Sequence, residues 1–128
     1  MEGKECRTIL IVDDDLFIQT LLSDVLSSHG YFVMTATDGI EACEKATARR
    51  PDVIIADKVM PNCDGFELND FLKSMSDYRS IPVILVSGQF SGGEDEAISM
   101  GFFSYVPKPI NEAALVTMVK RALEVYSP

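Results

Sequence analysis

Short apolar runs alternate along the chain with longer segments in which apolar residues recur at helical spacing. The runs are rich in β-branched residues, and each is too short to form a helix, so they predict strands. Several are almost continuously apolar, which is typical of strands that are covered on both faces. The predicted strands are residues 8–12, 32–36, 53–56, 83–86 and 103–106.

The segments between and after these strands predict helices. Asp14 or Asp15 is a candidate cap for the first helix, and Gly30 ends it. Asp38 starts the second helix, and Asn111 starts the last one. The apolar positions at helical spacing are Ile18, Leu21, Leu22, Val25 and Leu26; Ile40, Cys43 and Ala46; Leu68, Phe71, Leu72 and Met75; and Leu115, Val119, Ala122, Leu123 and Tyr126.

The fourth helix, expected within residues 91–100, is the weakest of the set. Gly92 and Gly93 stand at its start, and its apolar face is narrow. Glycine inside a helix is unfavourable because it loses more backbone entropy than other residues. We therefore expect this helix to be short and mobile.

Five strands that alternate with five helices predict the α/β class, with a doubly wound five-stranded parallel sheet. We expect the flavodoxin-like strand order 2-1-3-4-5, in which the first and third strands lie beside a topological switch point. A single domain spanning residues 1–128, with an ordered core of about 6–126, accounts for the whole pattern.

Composition narrows the possible partners. The formal net charge is -9, from 20 acidic and 11 basic side chains, so phosphate backbones repel the chain and direct nucleic-acid binding is not expected. No apolar run approaches the roughly 18 residues that span a bilayer, so no membrane association is expected. Cys6, Cys43 and Cys63 cannot all pair with one another and show no zinc-type spacing with the single histidine, which favours reduced thiols in a cytoplasmic protein.

Charged residues follow three of the predicted strands. Asp13 and Asp14 follow the first, Asp57 follows the third and Lys108 follows the fifth. The carboxyl ends of parallel strands meet at one edge of the sheet, where open α/β proteins place their sites. The sequence therefore predicts that these four side chains come together.

A cluster of carboxylates at this edge favours Mg²⁺, which binds hard oxygen ligands and retains several waters. Asp14, Asp57 and the main-chain carbonyl of Val59 are candidate ligands. Two like charges about 4 Å apart repel by about 4 kcal/mol at an effective dielectric constant near 20, and a bound cation relieves that repulsion. The metal would leave Asp57 free to act as a nucleophile toward a phosphoryl group. Lys108 and the Ser87 hydroxyl could contact the phosphoryl oxygens.

Four segments carry a family resemblance. They are residues 11–15 (IVDDD), 57–61 (DKVMP) leading to 64–65 (DG), 85–88 (LVSG) and 105–109 (YVPKP). Each is weak alone, but their order at the ends of the predicted strands is specific. At these residues the chain resembles the receiver domain of two-component response regulators, including the chemotaxis receivers, over essentially its full length.

The resemblance implies that Asp57 is the phosphoacceptor and that a histidine kinase, a histidine phosphotransfer protein or a small phosphodonor supplies the phosphoryl group. It implies that Asp14 binds Mg²⁺ directly and that Asp13 binds it through a water. A receiver is a phosphoacceptor signalling domain rather than an ordinary enzyme, although it supports its own phosphorylation and slow autodephosphorylation.

The resemblance also implies a switch. The Ser87 hydroxyl would turn toward the phosphoryl group, and Tyr105 would change its packing in response. The signal would reach the face formed by the fourth helix, fifth strand and fifth helix, which controls a partner or effector domain and in some receivers forms a phosphorylation-dependent homodimer. A cis bond between Lys108 and Pro109 is implied as well. The short fourth helix is a candidate bistable element, and hydrogen exchange that is unchanged across residues 90–101 on phosphorylation would contradict this.

Two positions depart from the family pattern, Val59 and Gln89. In relatives these positions influence how fast the aspartyl phosphate is hydrolysed. An apolar Val59 cannot orient an attacking water by hydrogen bonding, so we expect Val59→Asn to shorten the phosphoryl lifetime. No effector domain follows Pro128, so we expect output through a partner, or a longer parent protein.

Alternative functions remain open from the residues alone. A phosphohydrolase of the haloacid dehalogenase type is disfavoured. That family has a second aspartate two residues after the nucleophile, where this chain has Val59, and its nucleophile follows the first strand rather than the third. A flavodoxin-like cofactor carrier would need a phosphate-binding loop after its first strand, but this chain has three acids there, which would repel the flavin phosphate. A docking domain could keep the receiver fold without phosphorylation. The aspartate triplet could merely cap the first helix, and Ser87 and Tyr105 could be ordinary strand residues.

Overall fold

The computed structural model describes residues 6–57, 64–88, 90 and 92–125. Its five strands form one parallel sheet in the order β2-β1-β3-β4-β5, as predicted. Three strands end one residue later than the apolar runs indicated, so that Asp57, Ser87 and Pro107 are the last residues of β3, β4 and β5, and β5 also begins one residue later, at Ser104. The strands are β1 (Thr8–Val12), β2 (Phe32–Ala36), β3 (Val53–Asp57), β4 (Val83–Ser87) and β5 (Ser104–Pro107).

The five predicted helices are present: α1 (Leu16–Ser28), α2 (Gly39–Ala48), α3 (Gly65–Lys73), α4 (Gly93–Ser99) and α5 (Glu112–Val125). Aspartates cap three of them. Asp15, rather than Asp14, accepts hydrogen bonds from the first turn of α1, and Asp38 and Asp64 do the same for α2 and α3. A side-chain oxygen at this position satisfies backbone N–H groups that have no partner within the helix. Helix α4 has seven residues and is therefore short, as expected, while its mobility stays a prediction.

Two hydrophobic clusters cover the two faces of the sheet. Alternate strand residues such as Leu10 and Ile54 pack against α2, α3 and α4, while Ile9 and Ile55 pack against α1 and α5. Every side chain of β1, β3 and β4 is buried, which explains why their sequences are almost continuously apolar. Among the described residues, no helix combines the length and the apolar character needed to cross a bilayer.

Two predicted helix faces are rotated from the expected ones. In α2 the buried residues are Gly39, Ala42 and Ala46, and Ile40 is 55% exposed. In α3 the side chain of Phe71 is 46% exposed beside the buried Leu72. The inward positions of α2 carry only small side chains, which permit close packing of a helix on a sheet, so side-chain size rather than hydrophobicity distinguishes the inward face. Tyr126 lies outside the described residues.

Candidate functional site

The carboxyl ends of β1 and β3 bring three aspartates together. Val12 pairs with Ala56 in the sheet. The next residue on each side is Asp13, which follows β1, and Asp57, which ends β3, so these two aspartates lie side by side. One carboxylate oxygen from each of Asp13, Asp14 and Asp57 lies within 4.8 Å of the others. Asp13 and Asp57 are buried, with 2% and 8% exposure, whereas Asp14 is exposed. The cluster therefore opens to solvent on the side of Asp14.

Lys108 closes the buried side of this cluster. Its Nζ lies 3.1 Å from Asp13 Oδ2 and 3.4 Å from Asp57 Oδ2. Burial lowers the pKa of Lys108, but the Asp13 and Asp57 carboxylates outweigh burial, so the pKa lies above its ordinary value. The lysine is therefore a fixed positive charge that contacts both carboxylates.

Asp13 is held through its main chain as well as its side chain. The Asp13 Oδ1 atom accepts a hydrogen bond from the Asp15 backbone N–H at 2.9 Å. The Asp13 N–H donates to the Ala36 carbonyl at 3.0 Å, and the Asp13 carbonyl accepts from Gln19 Nε2 at 2.6 Å. This residue is therefore fixed at its N–H, its carbonyl and both carboxylate oxygens.

Ser87 and Tyr105 meet beside the cluster. Ser87 is buried at the end of β4, and its carbonyl accepts hydrogen bonds from the Lys108 N–H at 3.2 Å and from the Tyr105 hydroxyl at 2.9 Å. The same hydroxyl lies 3.3 Å from the Phe90 carbonyl. The Phe90 and Tyr105 rings pack edge to face, with centroids 5.3 Å apart. Tyr105 is therefore half-buried and joins β5 to the segment that leads from β4 into α4.

Most of the predicted site residues thus share one edge of the sheet. Asp13, Asp14, Asp57 and Lys108 form the cluster, and Ser87 and Tyr105 adjoin it. The Lys108–Pro109 peptide bond is cis, as the resemblance implied. Val59 and Gln89, whose roles were predicted, and the thiol of Cys63 lie outside the described residues.

Two polar side chains with long-range hydrogen bonds, Gln19 and Glu94, were not among the predicted site residues. Gln19 is buried on α1. It lies three residues before Leu22 and seven before Leu26, so it is a polar residue on the apolar face of the helix, and this was the signal in the sequence. Glu94, in the first turn of α4, accepts a hydrogen bond from the buried Ser104 hydroxyl of β5 at 2.5 Å. Nothing in the sequence distinguishes Glu94 from its acidic neighbours Asp95 and Glu96, because only the fold brings Ser104 next to it.

The three carboxylates fit a divalent cation with a preference for oxygen. They offer hard donors without the histidine or thiolate that zinc and copper favour. One side of the cluster is exposed, so water could complete the coordination. The donor set is therefore suited to Mg²⁺.

Comparison with known proteins agrees with this arrangement. A family model described as response regulator receiver domain matches residues 9–120. The polar-differentiation response regulator DivK of Brucella anthropi is 31% identical over 118 residues, covering 91% of this chain and 96% of DivK. The response regulator MprA of Mycobacterium sp. strain KMS is 35% identical over 121 residues, covering 94% of this chain and 52% of MprA, so the chain spans about half of that relative.

A solved structure shows the same fold with a metal in place. The receiver domain of the sensor histidine kinase PA1611 from Pseudomonas aeruginosa PAO1 superposes with a TM-score of 0.84 at 29% identity, covering 94% of this chain and 99% of that one. That structure has a magnesium ion coordinated in the active site cleft.

Proposed function

The chain belongs to the response regulator receiver domains of two-component systems, and from this we propose that it accepts a phosphoryl group on Asp57 in a Mg²⁺-dependent reaction. One observation carries the proposal. The Asp57 carboxylate stands at the end of a buried strand, within reach of two further carboxylates and 3.4 Å from the Lys108 ammonium group. This combination suits a carboxylate that must both approach a cation and react with an anion.

Asp14 and Asp57 would hold Mg²⁺ directly, Asp13 would hold it through a water, and the Val59 carbonyl would add a further ligand. When bound, the metal would offset the charge of the carboxylates and of the incoming phosphoryl group. The chain's own residues supply the rest of the site. Asp13 is positioned by its four hydrogen bonds, and Lys108 keeps Asp57 oriented until the phosphodonor arrives.

In the transfer, an Asp57 carboxylate oxygen attacks phosphorus, the new O–P bond forms, and the bond between phosphorus and the donor's leaving atom breaks with its electron pair. A histidine kinase or histidine phosphotransfer protein would supply the phosphoryl group from a phosphohistidine, and acetyl phosphate would supply it from an acyl phosphate. Lys108 moves toward the new phosphoryl oxygens as its partner Asp57 loses a negatively charged oxygen. The Ser87 hydroxyl donates a hydrogen bond to the same group.

The same movement would release Tyr105. Its hydroxyl bridges the main-chain carbonyls of Ser87 and Phe90, so a shift of the Ser87 backbone that accompanies the turning of the Ser87 hydroxyl toward the phosphoryl group weakens that bridge. Its ring contact with Phe90 connects the change to the segment preceding α4. The altered surface of α4, β5 and α5 would then control an effector protein or domain in a cytoplasmic signalling pathway, or form a phosphorylation-dependent homodimer.

The proposal is tested by intact-protein mass spectrometry after incubation with acetyl phosphate and Mg²⁺. We expect one added phosphoryl group on the wild type, and none on Asp57→Asn or in the presence of a chelator. Asp38→Asn is the matched control, because it removes an aspartate that caps α2 while asparagine caps helices equally well. An adduct on Asp57→Asn would refute the assignment of the acceptor. No adduct on the wild type would instead favour the docking-domain alternative.

A further inference from the structure

We propose that Gln19 is a positioning residue for the metal-binding aspartates, and that its side-chain amide sets the affinity of the site for Mg²⁺. The inference rests on the proposed function, because it assigns to Gln19 a part in the same site. Gln19 contacts neither the acceptor carboxylate nor Lys108 through any described hydrogen bond, and it acts through the main chain that carries Asp13 and Asp14.

The Gln19 side chain joins the ends of two strands. It is 8% exposed and lies on the face of α1 that also buries Leu22 and Leu26. Its Nε2 donates to the Asp13 carbonyl at 2.6 Å and to the Ala36 carbonyl at 3.0 Å. A primary amide has two N–H groups, so each can serve one of these carbonyls.

These bonds extend the β1–β2 pairing beyond the last residues of the strands. Val12 and Ala36 are the last register pair, and the Asp13 N–H donates to the Ala36 carbonyl at 3.0 Å. The Ala36 carbonyl thus accepts from both Asp13 and Gln19. The end of β1, where residues 13–15 begin, is therefore fixed by hydrogen bonds from α1 as well as from β2.

The Asp13 carbonyl lies in the peptide plane that connects Asp13 to Asp14. Because a peptide unit is planar, holding this oxygen fixes the orientation of the bond into Asp14. The structure shows no hydrogen bond to the Asp14 carboxylate from any described residue, so the direction of that side chain depends on its backbone. Gln19 is therefore the side-chain contact that fixes the peptide plane from which the exposed ligand of the cluster, Asp14, begins.

A neutral amide suits this position better than a charged group. A glutamate would place carboxylate oxygens against two carbonyl oxygens and add negative charge beside Asp13. A methionine would fill similar space but donate no hydrogen bond. The two substitutions separate the contribution of the donors from that of packing and charge.

The test measures Mg²⁺ binding by calorimetry for the wild type, Gln19→Met and Gln19→Glu. Loss of a group that holds a metal ligand in place without contacting the metal commonly weakens metal binding by about 10- to 100-fold. We therefore expect Gln19→Met to raise the Mg²⁺ dissociation constant by about tenfold. We expect the Mg²⁺ concentration that gives half the maximal rate of phosphorylation by acetyl phosphate to rise by about the same tenfold factor as the dissociation constant.

Gln19→Glu separates positioning from electrostatics. Added negative charge alone would tighten cation binding, whereas loss of the two donated hydrogen bonds would weaken it. We expect weaker binding. Gln19→Asn keeps a side-chain amide that is one methylene shorter and adds no charge, so it keeps the test decisive if neither of the other variants folds; we expect it to weaken Mg²⁺ binding as well, and binding equal to the wild type would refute the role of Gln19.

Asn69→Leu is the matched control. Asn69 is also a buried amide on a helix, with 1% exposure, and its Nδ2 donates to the Met100 carbonyl at 3.1 Å, away from the aspartate cluster. We expect this variant to melt at a lower temperature in chelator and to bind Mg²⁺ within about twofold of the wild type.

The outcomes distinguish the two proposals. If the wild type binds Mg²⁺ and accepts phosphate but the folded Gln19 variants bind Mg²⁺ equally well, the role of Gln19 is refuted and the proposed function stands. If Asn69→Leu weakens Mg²⁺ binding as much as Gln19→Met does, the effect is general destabilisation and the positioning role is also refuted. If the wild type neither binds Mg²⁺ nor forms an adduct, the proposed function itself fails.

Discussion

Asp14→Asn should stabilise the metal-free protein, because the aspartate cluster stores electrostatic repulsion. A carboxylate oxygen of Asp14 lies within 4.8 Å of a carboxylate oxygen of Asp13 and of one of Asp57. Lys108 forms ion pairs with Asp13 and Asp57. The helix cap of α1 belongs to Asp15, so the substitution removes no cap. Asparagine preserves the shape of the side chain while removing its charge.

The expected gain in the free energy of unfolding follows from the distance between the carboxylate oxygens and from the exposure of Asp14. Two unit charges 4.8 Å apart repel by about 1 kcal/mol at the dielectric constant of water and by about 3.5 kcal/mol at an effective value of 20. Asp14 is exposed, so the lower value is appropriate for each neighbour, and Lys108 offsets part of it. We expect a gain of about 1–2 kcal/mol in the free energy of unfolding, or about 4–8 °C in melting temperature for a domain of this size.

The assay is thermal unfolding in chelator and in excess Mg²⁺. In chelator, Asp14→Asn should melt above the wild type; in Mg²⁺ the difference should shrink or reverse, because the wild type gains more from binding the metal. Asp15→Asn is the control, since it removes the same charge one residue away and keeps a cap of equal quality. If Asp14→Asn melts at or below the wild type in chelator, or if Asp15→Asn gives the same pattern, the reasoning about repulsion in the cluster is wrong.

Three further predictions concern Lys108, Tyr105 and Ser104. The raised pKa of Lys108 means that its stabilisation is fully present below its unfolded-state pKa of about 10.4 and is lost as the pH rises through the higher folded-state pKa. Urea unfolding of the wild type and Lys108→Met should therefore differ by a constant amount from neutral pH up to about pH 10 and converge above it; a difference that grows with pH across this range would contradict this. Tyr105→Phe loses the hydrogen bonds to the Ser87 and Phe90 carbonyls and should lower the free energy of unfolding by about 1 kcal/mol in urea titrations, so an unchanged midpoint would count against the bridge. Ser104→Ala removes the hydrogen bond to Glu94 and should speed amide hydrogen exchange in α4 by about tenfold, with α1 as the internal reference; equal protection in both proteins would show that this bond does not hold α4.

The cluster was predictable because strand ends are marked in the sequence. The apolar runs before Asp13 and Asp57 fix where β1 and β3 finish, and parallel pairing then requires the two carboxylates to be neighbours. Lys108 follows by the same logic from β5. The fold class, strand order and family were confirmed for this reason.

Helix rotation and long-range polar contacts were not predictable in the same way. Helical periodicity defines an apolar face only to within about one residue, and the choice between Ile40 and Ala42 in α2 depends on how closely the helix approaches the sheet. The hydrogen bond between Ser104 and Glu94 depends on the packing of α4 against β5, which no local pattern encodes. Gln19 was visible as a polar residue on an apolar face, but its partners were not.

Asp57 is the residue that we propose to take the phosphoryl group. The most direct test is to treat the protein with acetyl phosphate and Mg²⁺, reduce the acyl phosphate with borohydride, and locate the reduced residue by peptide sequencing in a mass spectrometer. We predict that position 57 is converted and that Asp13 and Asp14 are not. Conversion at Asp13 or Asp14, or conversion nowhere under conditions in which Mg²⁺ binds, would show that Asp57 is not the phosphoacceptor.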